Sequence, residues 1–194
     1  LFKNLQKIRI VKSDRLLDGW AENDFLSRSK TIKQIGMVHH ARFNESRRRG
    51  EPAETVLKHA QAAEEHYHQA LALCPPTALT DLGPIHAQTA TFYSQVGAVD
   101  QAREHFEKAA QCFERANNRY DSGRVRDNVA LMYLRAASRE STPSRQRDLL
   151  YRAQAYAQAA LRDFQHYQGR AAAEEDRAQQ LLVRIAQALT KLPS

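Results

Sequence analysis

The chain has 194 residues, 30 of them Ala, against 22 for Val, Ile and Thr together, with only 7 Gly and 6 Pro. Residues that lose least on entering a helix outnumber those that favour strands or turns, so few, long helices are expected and an all-β fold is excluded. The net charge of +7 is local, because residues 1–52 carry 12 basic and 6 acidic groups and the rest of the chain is almost neutral.

In chain order, residues 1–28 come first. Leu1, Phe2, Leu5 and Ile8, then Leu16, Leu17, Trp20, Phe25 and Leu26, predict one or two helices that either cap the later helices or form a degenerate preceding repeat. Residues 29–76 predict a helical pair. Its first helix carries Ile35, Gly36, Val38 and His39, and its second Ala63, Tyr67, Ala70 and Cys74, the two being separated by a break around 47–54 where Gly50 and Pro52 stand.

Residues 77–116 and 117–168 repeat the pattern. TDLGPIHAQTATFY and YDSGRVRDNVALMY superpose without a gap at an offset of 40, matching Asp81 with Asp121, Gly83 with Gly123, Ala90 with Ala130 and Tyr93 with Tyr133. The second helices agree as well: Ala102, Phe106, Ala109 and Phe113 share their spacing with Ala153, Ala157, Ala160 and Phe164. Small residues seven apart let helices approach closely while a larger one fills the gap beside them. Gly97 suits a C-terminal cap and Asp100 an N-terminal one. Asp81 and Asp121, each just before a first helix, read as caps rather than catalytic groups. A second inter-helix break is expected around 138–147, at Pro143.

Residues 169–194 predict a closing helix whose stripe is Ala171, Ala178, Leu181, Leu182, Ile185 and Leu189. Glu174, Glu175, Asp176, Arg177 and Arg184 are left for solvent.

The middle unit resembles a tetratricopeptide repeat through Ala90, Tyr93, Gly97, Ala102, Phe106 and Ala109. The first unit adds Ala63, Tyr67, Ala70 and Pro75, and the third Ala130, Tyr133, Ala153 and Ala160. The resemblance implies an all-α chain, a right-handed α-solenoid of about three helical hairpins with N-terminal helices and a C-terminal capping helix. Its units, separated by more than the usual period of about 34 residues, are similar to the arrays attached to bacterial signalling ATPases and caspase-like proteases. An excess of Arg over Lys fits a bacterial source.

In such an array the concave surface comes mainly from first helices. Position by position this gives Lys30, Lys33, Gln34, Met37 and His40 from the first unit, and Ala87, Gln88, Thr91, Ser94 and Gln95 from the second. The third contributes Arg124, Asp127, Asn128, Leu131 and Arg135. Amides and hydroxyls there suit an extended backbone, and Lys and Arg suit carboxylates. The function this implies is non-catalytic: a scaffold or sensor arm of a larger, bacterial signalling protein that binds a protein segment or peptide, including one from another domain of the same protein. The alternatives are nucleic-acid binding through the basic patch of Arg42, Arg47, Arg48 and Arg49, or sensing of a small regulatory peptide.

Other chemistry finds no footing. His66 and His68 diverge by about 200° on a helix, so Glu65-His66-Tyr67-His68 is not a zinc motif. His39, standing where Tyr93 and Tyr133 stand, reads as a packed, hydrogen-bonded core residue. There is no nucleophile motif and no phosphate-cradling glycine loop, so no enzyme and no cofactor are expected. Cys74 and Cys112 have neither disulfide nor metal spacing. No apolar stretch of roughly 18 residues and no leader pattern are present, so a soluble, cytoplasmic protein without a membrane partner is expected. The first residue, Leu1, suggests a piece of a longer chain.

Overall fold

The computed structural model describes residues 22–192, and every regular element among them is a helix. They are α1 (Glu22–Arg49), α2 (Ala53–Leu73), α3 (Leu79–Val96), α4 (Val99–Arg115), α5 (Arg119–Ala137), α6 (Pro143–Gln165) and α7 (Ala172–Thr190).

The boundaries follow from local chemistry. At Gly50 (φ +67°) the chain turns out of α1, and Pro52 opens the next helix. Gly97 closes α3 in the left-handed region at φ +85°, and its N–H and that of Ala98 both bond the Tyr93 carbonyl. Asn118 caps α5, its Oδ1 accepting the Asp121 N–H at 3.1 Å. Pro143 takes the first position of α6, where its missing N–H costs nothing.

Connections of a few residues force consecutive helices to pack antiparallel, and the contacts run accordingly. In α1 and α2, Gly36 meets Tyr67 and His39 meets His59. In α3 and α4, Gly83 meets Phe113 and Tyr93 meets His105; in α5 and α6, Gly123 meets Phe164 and Tyr133 meets Tyr156. First helices also touch one another, α1 against α3 and α3 against α5, while α2 reaches α3, and α4 reaches α5. α7 closes the described part, lying on α6 and α5.

The core is built on alanine. Ala63, Ala70, Ala90, Ala102, Ala109, Ala130, Ala153, Ala157 and Ala160 are all fully buried, with Tyr67, Phe106 and Phe164 filling the space between helices. Each such aromatic contributes on the order of 1.5–3 kcal/mol by leaving water. Two glycines are needed for the closest approaches. A Cβ on Gly83 would sit 2.9 Å from Phe113 Cε1, and one on Gly123 2.8 Å from Phe164 Cε1. Arg126 on α5 then ties three helices together, bonding Glu114 at the end of α4 at 2.6 Å and also Asp163 on α6.

Several expectations need correcting. Residues 1–21, which carry most of the expected N-terminal helices, lie outside the described residues. α1 is one unbroken 28-residue helix that crosses the boundary drawn at residue 28. The break expected over 138–147 spans only 138–142, since proline starts α6 instead of interrupting it. Asp81, Asp100 and Asp121 fall in first turns and none is an N-cap, the cap positions being Ala78, Ala98 and Asn118. His39 is not the packed, hydrogen-bonded histidine. One residue further, a 100° rotation brings His40 inward, where it is 7% exposed and bonded at both nitrogens. His39 stacks on His66, and its Nδ1 has no hydrogen-bond partner.

Candidate functional site

The candidate surface is the row of first helices, α1, α3 and α5. At its α1 end, Lys30 Nζ stands 3.0 Å from Asp81 Oδ1 on α3, so this cation is partly neutralised. Lys33 and Gln34 lie beside it, Lys33 half-buried and Gln34 exposed. Met37 is half-buried and packs on the core.

α1 and α3 are joined through buried polar groups. His40 pairs its Nδ1 with the Tyr67 hydroxyl at 3.1 Å and its Nε2 with Gln95 Oε1 at 2.8 Å. Because Gln95 Oε1 can only accept, Nε2 carries the proton and Nδ1 accepts from the tyrosine. Burial holds the His40 pKa below its ordinary value, and the Gln95 bond offsets part of that. Arg47 Nη1 donates to the Gln95 carbonyl at 3.0 Å, while its guanidinium lies 5.3 Å from the Phe43 ring centre. Gln95 is therefore an anchor between helices, with both of its oxygens occupied.

Further along α3, Gln88 and Thr91 are half-buried, and the Thr91 hydroxyl donates to the Ala87 carbonyl of its own helix. On α5, Arg124 Nη1 reaches Asp121 Oδ1 at 3.3 Å, Asn128 is half-buried, Leu131 packs on the core and Arg135 is exposed. Asp127 departs from the expectation. It is not an open groove residue: its side chain is 5% exposed, because α7 lies over it and Arg177 Nη2 approaches Oδ2 to 2.8 Å. Burial raises the Asp127 pKa, against a smaller lowering by Arg177. Nor are the α7 charges all solvated. Glu174 accepts from the Tyr120 hydroxyl at 2.6 Å, and Glu175 Oε1 is buried.

The basic patch is divided. Arg48 and Arg49 both close on Glu45, Arg49 at 2.6 Å, and Arg47 turns to α3, while Arg42 is exposed.

A second polar cluster, at the junction of α2, α3 and α4, was missed in the sequence. The Tyr93 hydroxyl donates to Glu64 Oε1 at 2.8 Å and accepts from His68 Nε2, also at 2.8 Å. The Tyr93 ring stacks on His105, whose Nδ1 lies 3.0 Å from Nδ1 of His86. One of these two nitrogens must hold a proton and the other must lack it. Burial first, then mutual repulsion and Lys108 for His86, and Lys108 and His68 for His105, lower both to about 4. Nothing in the spacing of 68, 86 and 105 signals this meeting.

Among the described residues no group of three or more His, Cys, Asp or Glu is placed to hold a metal ion, and no helix is long and apolar enough to cross a membrane. Two crevices lie where α5 meets α4 and α6. One of about 240 Å³ is lined by Phe106, Val125, Val129 and Tyr156, and one of about 430 Å³ by Asn117, Asn118, Arg119 and Ser122; Arg126 borders both.

No family model matches the chain, and a search of curated proteins finds no match. Solved structures similar to it include the crystal structure of BtubC (BKLC) from P. vanneervenii, 16% identical with a TM-score of 0.40, over 71% of this chain and 59% of that one. The chain thus spans less than two thirds of that neighbour.

Proposed function

We propose that this chain is a tetratricopeptide-like, right-handed α-solenoid acting as a non-catalytic protein–protein interaction module, the scaffold or sensor arm of a larger bacterial signalling protein. Its α1, α3 and α5 surface takes an extended segment of a protein or peptide. The observation that carries this reading is the side-by-side row of α1, α3 and α5, with α2, α4 and α6 each packed against the helix before it. Such a row offers Lys33, Gln88, Asn128 and Arg135 from three elements to a single strand of ligand backbone, with cations available for its carboxylates. Cys74 and Cys112, both free and buried, accord with a reducing, cytoplasmic setting.

The nucleic-acid reading has less support, since Arg48 and Arg49 spend their charge on Glu45 and Arg47 bonds Gln95. The test is charge reversal at Lys33, half-buried on α1, and Arg124, exposed on α5. Lys33→Glu with Arg124→Glu abolishes partner capture and leaves the melting temperature within about 2 °C. Capture unchanged by the pair would move the binding surface to the second helices.

A further inference from the structure

α7 covers part of the surface assigned to a partner, and its fit there is uneven. Against α6 and the core it presents Ala178, Leu181 and Ile185, all buried. Against α5 it presents charge: Glu174 to the Tyr120 hydroxyl and Arg177 to Asp127. Asp127 is almost wholly buried, yet its Oδ1 has no hydrogen-bond partner, and neither has the buried Oε1 of Glu175. A guanidinium can hold a carboxylate through two parallel bonds, but the structure gives Arg177 a single contact, to Oδ2, and the Arg177 side chain remains 55% exposed. A buried carboxylate with one oxygen unmet is costly, and a better donor set placed there would recover that cost.

We propose that the α5 face around Asp127 is a recognition subsite for an Arg or Lys side chain of a protein partner, and that α7 is the chain's own occupant of it, shielding it until a partner segment competes. This rests on the groove reading and deepens it. The occupant must bring a cation, because Asp127 is the acceptor left incompletely met and Arg177 is the group that serves it within the chain. Cations stand at both ends of the row, Lys30 and Lys33 on α1 and Arg124 and Arg135 on α5. A partner segment would set its carboxylates against Lys33 on α1 and Arg124 on α5, and one basic side chain against Asp127.

The test uses the whole chain and, as probe, a labelled synthetic peptide of residues 172–190 followed by fluorescence anisotropy. Substituting Arg177→Ala and Leu181→Ala in the chain loosens its own helix, and this variant binds the peptide at least tenfold more tightly than the unaltered chain. A peptide carrying Arg177→Ala binds at least tenfold more weakly, and Asp127→Asn in the chain makes the two peptides equivalent. No binding to the loosened variant, or equal binding of both peptides to it, would overturn the proposal. If that variant fails to fold, Arg177→Gln alone serves: α7 amides exchange with solvent at least tenfold faster than in the unaltered chain, and unchanged exchange sinks the idea. The groove reading is tested by partner capture with Lys33→Glu and Arg124→Glu and the α7 reading by this peptide, so a failure of one and a failure of the other give different results.

Discussion

Acid should weaken this protein through one pair of rings. His86 and His105 face each other across α3 and α4 at 3.0 Å between Nδ1 atoms, and both are lowered from 6.5 to about 4. Between those values the unfolded chain binds protons that the folded chain refuses, so stability falls as pH falls. The contribution is whole above pH 6.5, is lost through the interval down to about 4, and changes no further below it. Each pKa unit corresponds to about 1.36 kcal/mol, which would give about 3 kcal/mol for one isolated histidine. The rings are half-buried, not sealed from water, and share one bond, so solvent screening and coupling reduce the figure to about 1–2 kcal/mol for the pair. Urea unfolding at pH 7.5, 6.5, 5.5 and 4.5 measures it, with His86→Gln plus His105→Gln as the comparison. The two amides can still bond each other but cannot titrate, so the variant loses about 1–2 kcal/mol less than the unaltered chain over that range. Equal losses in both would refute the reasoning and mean that the ring pair is not formed in solution.

Arg177→Met leaves Asp127 buried without its cation and costs about 1–3 kcal/mol at pH 7 by thermal or urea unfolding. Because burial raises the Asp127 pKa, the carboxyl takes up a proton at a higher pH than an ordinary aspartate and the deficit narrows as pH falls; adding Asp127→Asn removes most of it. A deficit indifferent to pH would exclude a charged Asp127 as its cause. Gly123→Ala gains about 1 kcal/mol of helix propensity but drives its Cβ to 2.8 Å from Phe164 Cε1 and 3.0 Å from Asp163 Cβ. Overpacking of that kind costs about 1–3 kcal/mol, so a net loss is expected. Phe164→Leu in the same chain should turn the alanine substitution neutral or favourable, as read from urea midpoints.

The alanine spacing was legible because a small residue every seventh position has one physical purpose in a helix pair, to let backbones approach, and Ala63, Ala70, Ala102, Ala109, Ala153 and Ala160 are all fully buried. Gly97 was equally readable, since a left-handed turn has few tenants. Caps were less so. Asn118 and Asp121 are both good candidates by type, and which one caps depends on where the first helical hydrogen bond closes. His39 and His40 exchanged roles because a shift of one position along a helix turns the side chain through about 100°. Asp127 lay beyond reach for another reason. Its burial is imposed by Arg177, on a helix fifty residues later, and no local pattern in α5 records that.

Arg126 has a consequence for the way the protein opens. In a row of helices that touch only their neighbours, each pair is free to open with its own energy. A side chain in the middle helix that grips both the end of α4 and the flank of α6 removes that independence, because opening α5 releases a half-buried guanidinium from both carboxylates and opening α4 or α6 takes one of them away. Amide protons of α4, α5 and α6 are accordingly expected to exchange as one block, which Arg126→Met would break up.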